Sequence, residues 1–381
     1  DDGFPERWFR LQQLRPGFAH PDLFQEYCEQ NAGMNAEEWS HIDYFVTVVS
    51  HGTSTSGSQY RLETVPTGDD CRGRFPLIHN YMVVKNFRSW NRLGTLFHEV
   101  AHGLNRDFDP EPSLGHSESV QSRTGIEVEY GDRSDVMGGA SKRGHFSLPQ
   151  KMFIRVIPET LVDTVPNNVS AHRTVIHPIE RNRQELKGIR VPIENERDYF
   201  IEVRAHLGSD RHIPDILKAG ALIKRAPHIA RANKSWLVDC TPETHTDNSG
   251  DGVLLPQRTC SDPENNLFIS ALKANSDGVD IVVRRTEAST RAPSIESIRT
   301  QMEDHRVSFS ARARPGVDEI SRDDLLYFWK LGSRDAPITT DNFRTGPDIE
   351  LEIIDPSTPI WLLVSDQHGG EIWTQAWPSN P

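Results

Sequence analysis

With 381 residues the chain has room for two or three domains, each with its own core. Its 42 Lys and Arg against 55 Asp and Glu give a formal charge of −13, which argues against general binding to nucleic acid or anionic lipid. No apolar run approaches the roughly 20 residues that cross a bilayer, so no membrane span is expected, and 26 Gly with 25 Pro favour turns and short strands over long helices.

The chain opens Asp1-Asp2 without Met, as a processed product does. Residues 21–30 have helical character. Residues 41–50 (HIDYFVTVVS) are rich in β-branched and aromatic side chains and read as a buried strand, followed by a Gly/Ser/Thr loop over 51–57. Residues 77–84 (LIHNYMVV) read as a second strand. Residues 90–104 place Leu93, Leu96, Phe97, Val100, Ala101 and Leu104 at helical spacing. Beyond about residue 160 short β-like runs recur between turn residues: 173–178, 188–193, 199–205, 221–225, 236–240, 267–272 and 279–284. That spacing suggests an antiparallel sandwich. Residues 287–293 (EASTRAP) read as a linker, and runs at 307–313, 325–331, 349–354, 360–365 and 371–376 suffice for one more small sandwich. The division expected is therefore 1–160, 161–288 and 289–381.

Four cysteines, Cys28, Cys71, Cys240 and Cys260, include no CxxC pair, which disfavours a cysteine-based zinc site. The local pairing is Cys28–Cys71 with Cys240–Cys260; the other reading is four reduced thiols in a cytosolic protein. Sequons at Asn168 and Asn233 fit the secreted reading.

The segment richest in chemistry is His98-Glu99-Val100-Ala101-His102. On a helix, positions i and i+4 lie about 40° apart around the axis and about 6 Å along it, so both imidazoles can share one metal ion. Glu99 stands beside the first ligand, where a carboxylate can take a proton from metal-bound water. Zinc amide hydrolysis is the reaction implied. The metzincin pattern HExxHxxGxxH would place a Gly and a third His next, but Asn105 and Phe108 stand there. With residues 106–113 (RDFDPEPS) taken as an insertion, His116 becomes the third ligand. Asp107 and Asp109 are alternatives, and Glu118 would imply a thermolysin type of site.

Residues Tyr130-Gly131-Asp132-Arg133-Ser134-Asp135-Val136-Met137-Gly138 resemble the Met-turn of the gametolysin-like metallopeptidases. Residues 144–151 (GHFSLPQK) resemble the GHFSxPQK stretch of gametolysin-like and immune-inhibitor-A-like peptidases, and 199–204 (YFIEVR) resembles their YYLEYR strand. The resemblance spans about residues 40–285. It implies an α+β zincin (metzincin-like) catalytic domain followed by all-β sandwich domains. It also implies Met137 as an apolar floor beneath the metal ligands, zinc as cofactor, and a secreted, monomeric endopeptidase acting on protein or glycoprotein. Gly139 stands where astacin-type metzincins carry a Tyr, so no tyrosine switch is expected from that position; Tyr130 could still reach the cleft. Residues 327–332 (YFWKLG) and 364–370 (VSDQHGG) resemble a polycystic-kidney-disease-type Ig-like module, although Trp329 fits the core of any β-sandwich. The competing function is an adhesin or glycan-binding protein on a degenerate zincin scaffold.

Overall fold

The computed structural model describes the backbone of residues 44–49, 57–67 and 73–85, then 98, 101, 114–120, 125–138 and 144–377, apart from 182, 194–196, 229–233, 245–249, 304–305, 353–354 and 356. The helix expected at 21–30, Cys28, Cys71, Asn233, Glu99, His102, Asp107 and Asp109 lie outside these residues. The chain divides into two compact units, Asp1–Trp90 with Glu99–Ser113, and Asn91–His98 with Leu114–Pro381.

In the first unit β1 (Tyr44–Val49), β2 (Gly57–Thr67) and β3 (Gly73–Lys85) form a sheet of order β1-β3-β2, with β1 parallel and β2 antiparallel to β3.

The second unit is built on a seven-stranded sheet of order β5-β4-β11-β10-β9-β8-β6. Its strands are β4 (Ser117–Val120), β5 (Glu127–Val128), β6 (Val162–Thr164), β8 (Gly188–Pro192), β9 (Arg197–Val203), β10 (Ala221–Pro227) and β11 (Ser235–Val238). Strands from both sides of residue 160 thus share one sheet. A four-stranded sheet of order β12-β13-β14-β7 joins Arg258–Asp262, Leu267–Ala274, Val279–Arg285 and Ala171–Ile176. The two sheets bury one apolar cluster in which Ile189, Ile201 and Ile223 meet Ile176, Ile269 and Ile281. Period-two alternation puts these isoleucines on one face of their strands. The neighbours Glu202 and Lys224 therefore point to the other face of the seven-stranded sheet.

Residues beyond 293 form two more sheets, β15-β16-β19 (Ser294–Glu303, Arg306–Arg314, Asp348–Glu352) and β18-β17-β20-β21 (Phe343–Thr345, Leu326–Leu331, Ile360–Ser365, Glu371–Ala376). Trp329 is fully buried between them, 5.4 Å from the ring of Phe309, and donates Nε1–H to the Gly346 carbonyl at 2.8 Å. Phe328, one residue back, faces the opposite way and packs with Leu222, Leu237 and Val253 of the preceding sandwich.

The α+β zincin fold class is corrected by this architecture. Strands take 44% of the described residues and helix only 11%, with no long helix among them. The chain is β-rich. The one α-helix described from end to end, α1 (Leu148–Phe153), has all six residues buried, so packing rather than propensity holds it. Pro149 suits its first turn, the Leu148 amide donates to Glu202 Oε2 at 2.5 Å, and Arg155 in left-handed conformation (φ 60°) ends it. No described helix is long and apolar enough to cross a membrane. Cys240 and Cys260 form the expected disulfide, tying the end of β11 to β12.

Candidate metal centre

The site lies on the face of the seven-stranded sheet that carries Glu202 and Lys224. Gly131 to Gly138 form a loop pinned there by two buried carboxylates. Asp135 accepts from the Met137 amide, the Ser147 amide and the Ser117 hydroxyl, each at 2.8 Å. Asp132 accepts the amide (2.9 Å) and hydroxyl (2.6 Å) of Ser134 and pairs with the Lys224 ammonium. The Ser117 amide donates to the Met137 carbonyl at 3.0 Å, fixing the loop to the first residue of β4. A side chain at Gly138 would strike the Asp132 carbonyl oxygen at 2.0 Å, so the loop closes only around glycine. Burial, reinforced by Asp132, pushes the Asp135 carboxyl up to about 6.

Met137 is completely buried in this loop. Its neighbour Val136 presents a carbonyl to His98, whose Nδ1 lies 2.9 Å away. A carbonyl only accepts, so Nδ1 carries the ring proton and Nε2 carries the lone pair. His98 is 4% exposed, and burial first, then the His116 charge, hold its pKa below the usual histidine range against the Val136 bond. The ring is therefore neutral near pH 7, the state that ligates metal. His98 and Ala101 are both helical, as the sequence predicts for this segment.

His116, at the entry to β4, stacks its ring 5.6 Å from that of His98 at an interplanar angle of 27°. Tyr130 completes the cluster, with its ring 4.3 Å from His116 and 5.8 Å from His98, and its hydroxyl 2.9 Å from His116 Nε2. The structure thus brings together His98, His116 and the Met137 loop. Glu118 lies outside the cluster's hydrogen bonds: its carboxylate accepts from Trp236 Nε1 at 2.8 Å.

Among the described residues no three His, Cys, Asp or Glu side chains stand ready to hold a metal. The donors that are described nonetheless fit zinc in kind. They are two imidazoles, one aimed by a backbone carbonyl as ligating histidines usually are. A four-coordinate site needs further ligands.

Sequence reasoning did not find the roles of Asp132, Asp135 and Lys224. The signal was present in Asp132-Arg133-Ser134, where an Asp two residues before a Ser favours an Asx-type turn. Elsewhere in this unit a cleft of about 710 Å³ is lined by Arg173, Arg284, Arg312 and Arg322. Arg173, Arg312 and Arg322 each pair with a carboxylate (Asp280, Asp348 and Glu296), which leaves little charge to attract an anion. Comparison with protein-family models, curated proteins and solved structures finds no match to this chain.

Proposed function

We propose that the chain is a secreted zinc endopeptidase acting on extracellular protein or glycoprotein. The observation that carries this reading is the bond from His98 Nδ1 to the Val136 carbonyl, with His116 stacked alongside. It orients one imidazole and fixes its tautomer, as the outer hydrogen bond of a metal-ligating histidine does. His98, His102 and His116 would hold the ion. Bound there, zinc supplies a Lewis acid and a water acidified enough to lose a proton near neutral pH. Glu99, next in sequence to His98, would be the general base and would pass a proton to the leaving amine nitrogen. Met137, fully buried, would form the apolar floor of the site. The disulfide fits an oxidising compartment, where such bonds persist. The reading rests on the site rather than on a fold family.

The test is Glu99→Ala in the full chain. It should keep its zinc and lose casein cleavage; cleavage at the wild-type rate overturns the mechanism. One observation favours a second reading, an adhesin or glycan-binding protein: the predominance of β-sandwich over helix. Elemental analysis separates the two. Less than about 0.2 zinc per chain, in protein purified without added metal, selects the binding protein.

A further inference from the structure

The chain leaves the seven-stranded sheet at β6 and enters the four-stranded sheet at β7 through residues 165–170. Val165 and Val169 turn into the core that the two sheets share. In locally extended chain, a side chain directed inwards sends its neighbours outwards. Asn168 and Ser170, on either side of Val169, are accordingly both exposed.

These three residues form Asn-x-Ser, the acceptor pattern for an asparagine-linked glycan. A turn asparagine usually binds nearby amides, as Asn275 does by accepting from Asp277 at 2.8 Å and Gly278 at 3.1 Å. Among the described residues neither the Asn168 carboxamide nor the Ser170 hydroxyl has a hydrogen-bond partner. Ser235, in the other sequon, differs. Its hydroxyl is completely buried against those of Ser117 at 3.0 Å and Ser147 at 3.2 Å, so packing accounts for it.

The crossing also stands where the sandwich is open. β6 ends one sheet and β7 ends the other, and His172 Nε2 lies 2.7 Å from Asp163 Oδ2, so two strand edges meet at this flank. On β7, Val175 is 47% exposed. A strand edge with an apolar residue alongside is a template for pairing with another chain unless something bulky or charged blocks it.

We propose that Asn168 carries an asparagine-linked oligosaccharide that shields this flank. This rests on the secreted half of the reading above and not on zinc. The donor is an oligosaccharide esterified to a lipid diphosphate, and a transferase of the secretory route catalyses the step. Asn168 Nδ2 forms a bond to the anomeric carbon as the bond from that carbon to the phosphate oxygen breaks. One amide proton is lost to a base of the transferase, and the lipid diphosphate leaves. A bulky, hydrated chain then stands over both edges.

The experiment secretes the full chain from cultured eukaryotic cells and removes its glycans with an amidase in heavy-oxygen water, which turns each glycosylated Asn into labelled Asp. Peptide mass spectrometry should find the label at Asn168. Asn168→Gln and Ser170→Ala should lose it, and Ser170→Thr should keep it. By light scattering, Asn168→Gln and the deglycosylated wild type should associate at concentrations where the glycoprotein is a monomer. Val175→Lys added to Asn168→Gln should restore the monomer, because a charge on the edge blocks pairing. Secreted protein with Asn168 bare overturns the proposal. An occupied Asn168 whose glycan can be removed without association overturns the shield. Free thiols at Cys240 and Cys260 count against the secreted reading whatever the state of Asn168.

Discussion

Lys224 meets Asp132 across 92 positions of chain, and both side chains are sealed from solvent. A strand in the middle of a sheet thereby holds the loop that carries Met137. Replacing Lys224 with Met would leave the Asp132 carboxylate buried without its counter-ion, at a cost of about 3–5 kcal/mol. Calorimetry should show a fall in melting temperature of roughly 10 °C. A shift smaller than about 2 °C would mean that this pair does not anchor the loop.

Asp135 collects three donors, from Met137, Ser147 and Ser117. Asp135→Ala strands them in a water-free interior at about 1–3 kcal/mol for each group left unsatisfied. Hydrogen exchange at the Met137 and Ser147 amides is the sensitive readout. Both should lose protection before the sandwich strands do. Unchanged protection at these two amides counts against the role given to Asp135.

Glu180 gives stability a defined pH dependence. Burial is the main cause of its carboxyl rising to about 8, with the Asp210 side chain adding and Arg204 opposing. The folded chain holds this proton to about pH 8, whereas the unfolded chain releases it near 4.5. Unfolding therefore releases a proton between these values, and stability from this group falls as pH rises through the window. Asp135, raised to about 6, acts with the same sign over the lower part. Glu180→Gln should be more stable than wild type at pH 8, with the gap closing towards pH 4.5. Parallel melting curves for the two proteins across that range would contradict the assignment.

The Cys240–Cys260 bridge closes a separation of 20 residues between the two sheets of the sandwich. In the chain-entropy model, losing such a crosslink costs about 3 kcal/mol. The double serine variant should unfold at correspondingly lower denaturant with an unchanged fold by circular dichroism. If reductant leaves the wild-type midpoint where it was, the bridge contributes nothing.

Most strands were legible because their apolar residues alternate or cluster: β9, β10, β13, β14, β17 and β20 fall within three residues of the expected runs. β12 (RTCSD) was missed, since its polar residues carry no such pattern and neighbouring β13 supplies the pairing. β15 was missed because a register shift between Ile295 and Ser297 breaks the alternation. The disulfide followed from proximity in sequence. The fold class did not follow, because a motif on one helical segment says little about how much helix surrounds it. Beyond the Asx-type signal at Asp132, the anchors of the loop were illegible for a physical reason. A buried carboxylate is tolerated only if partners arrive: those of Asp135 are polar groups up to 18 residues away, and the charged partner of Asp132, Lys224, stands 92 residues away.

The parallel pairing of β4 with β11 sets a timetable for synthesis. Ser117 and Ser235, hydroxyls in contact at 3.0 Å, are 118 positions apart. At the usual pace of a ribosome the second strand emerges roughly 6–24 s after the first. Through that interval the stretch bearing His116 has no neighbour on its β11 side, and the Met137 loop has no Lys224. The loop and the start of β4 therefore stay without these partners on the nascent chain until the downstream half arrives.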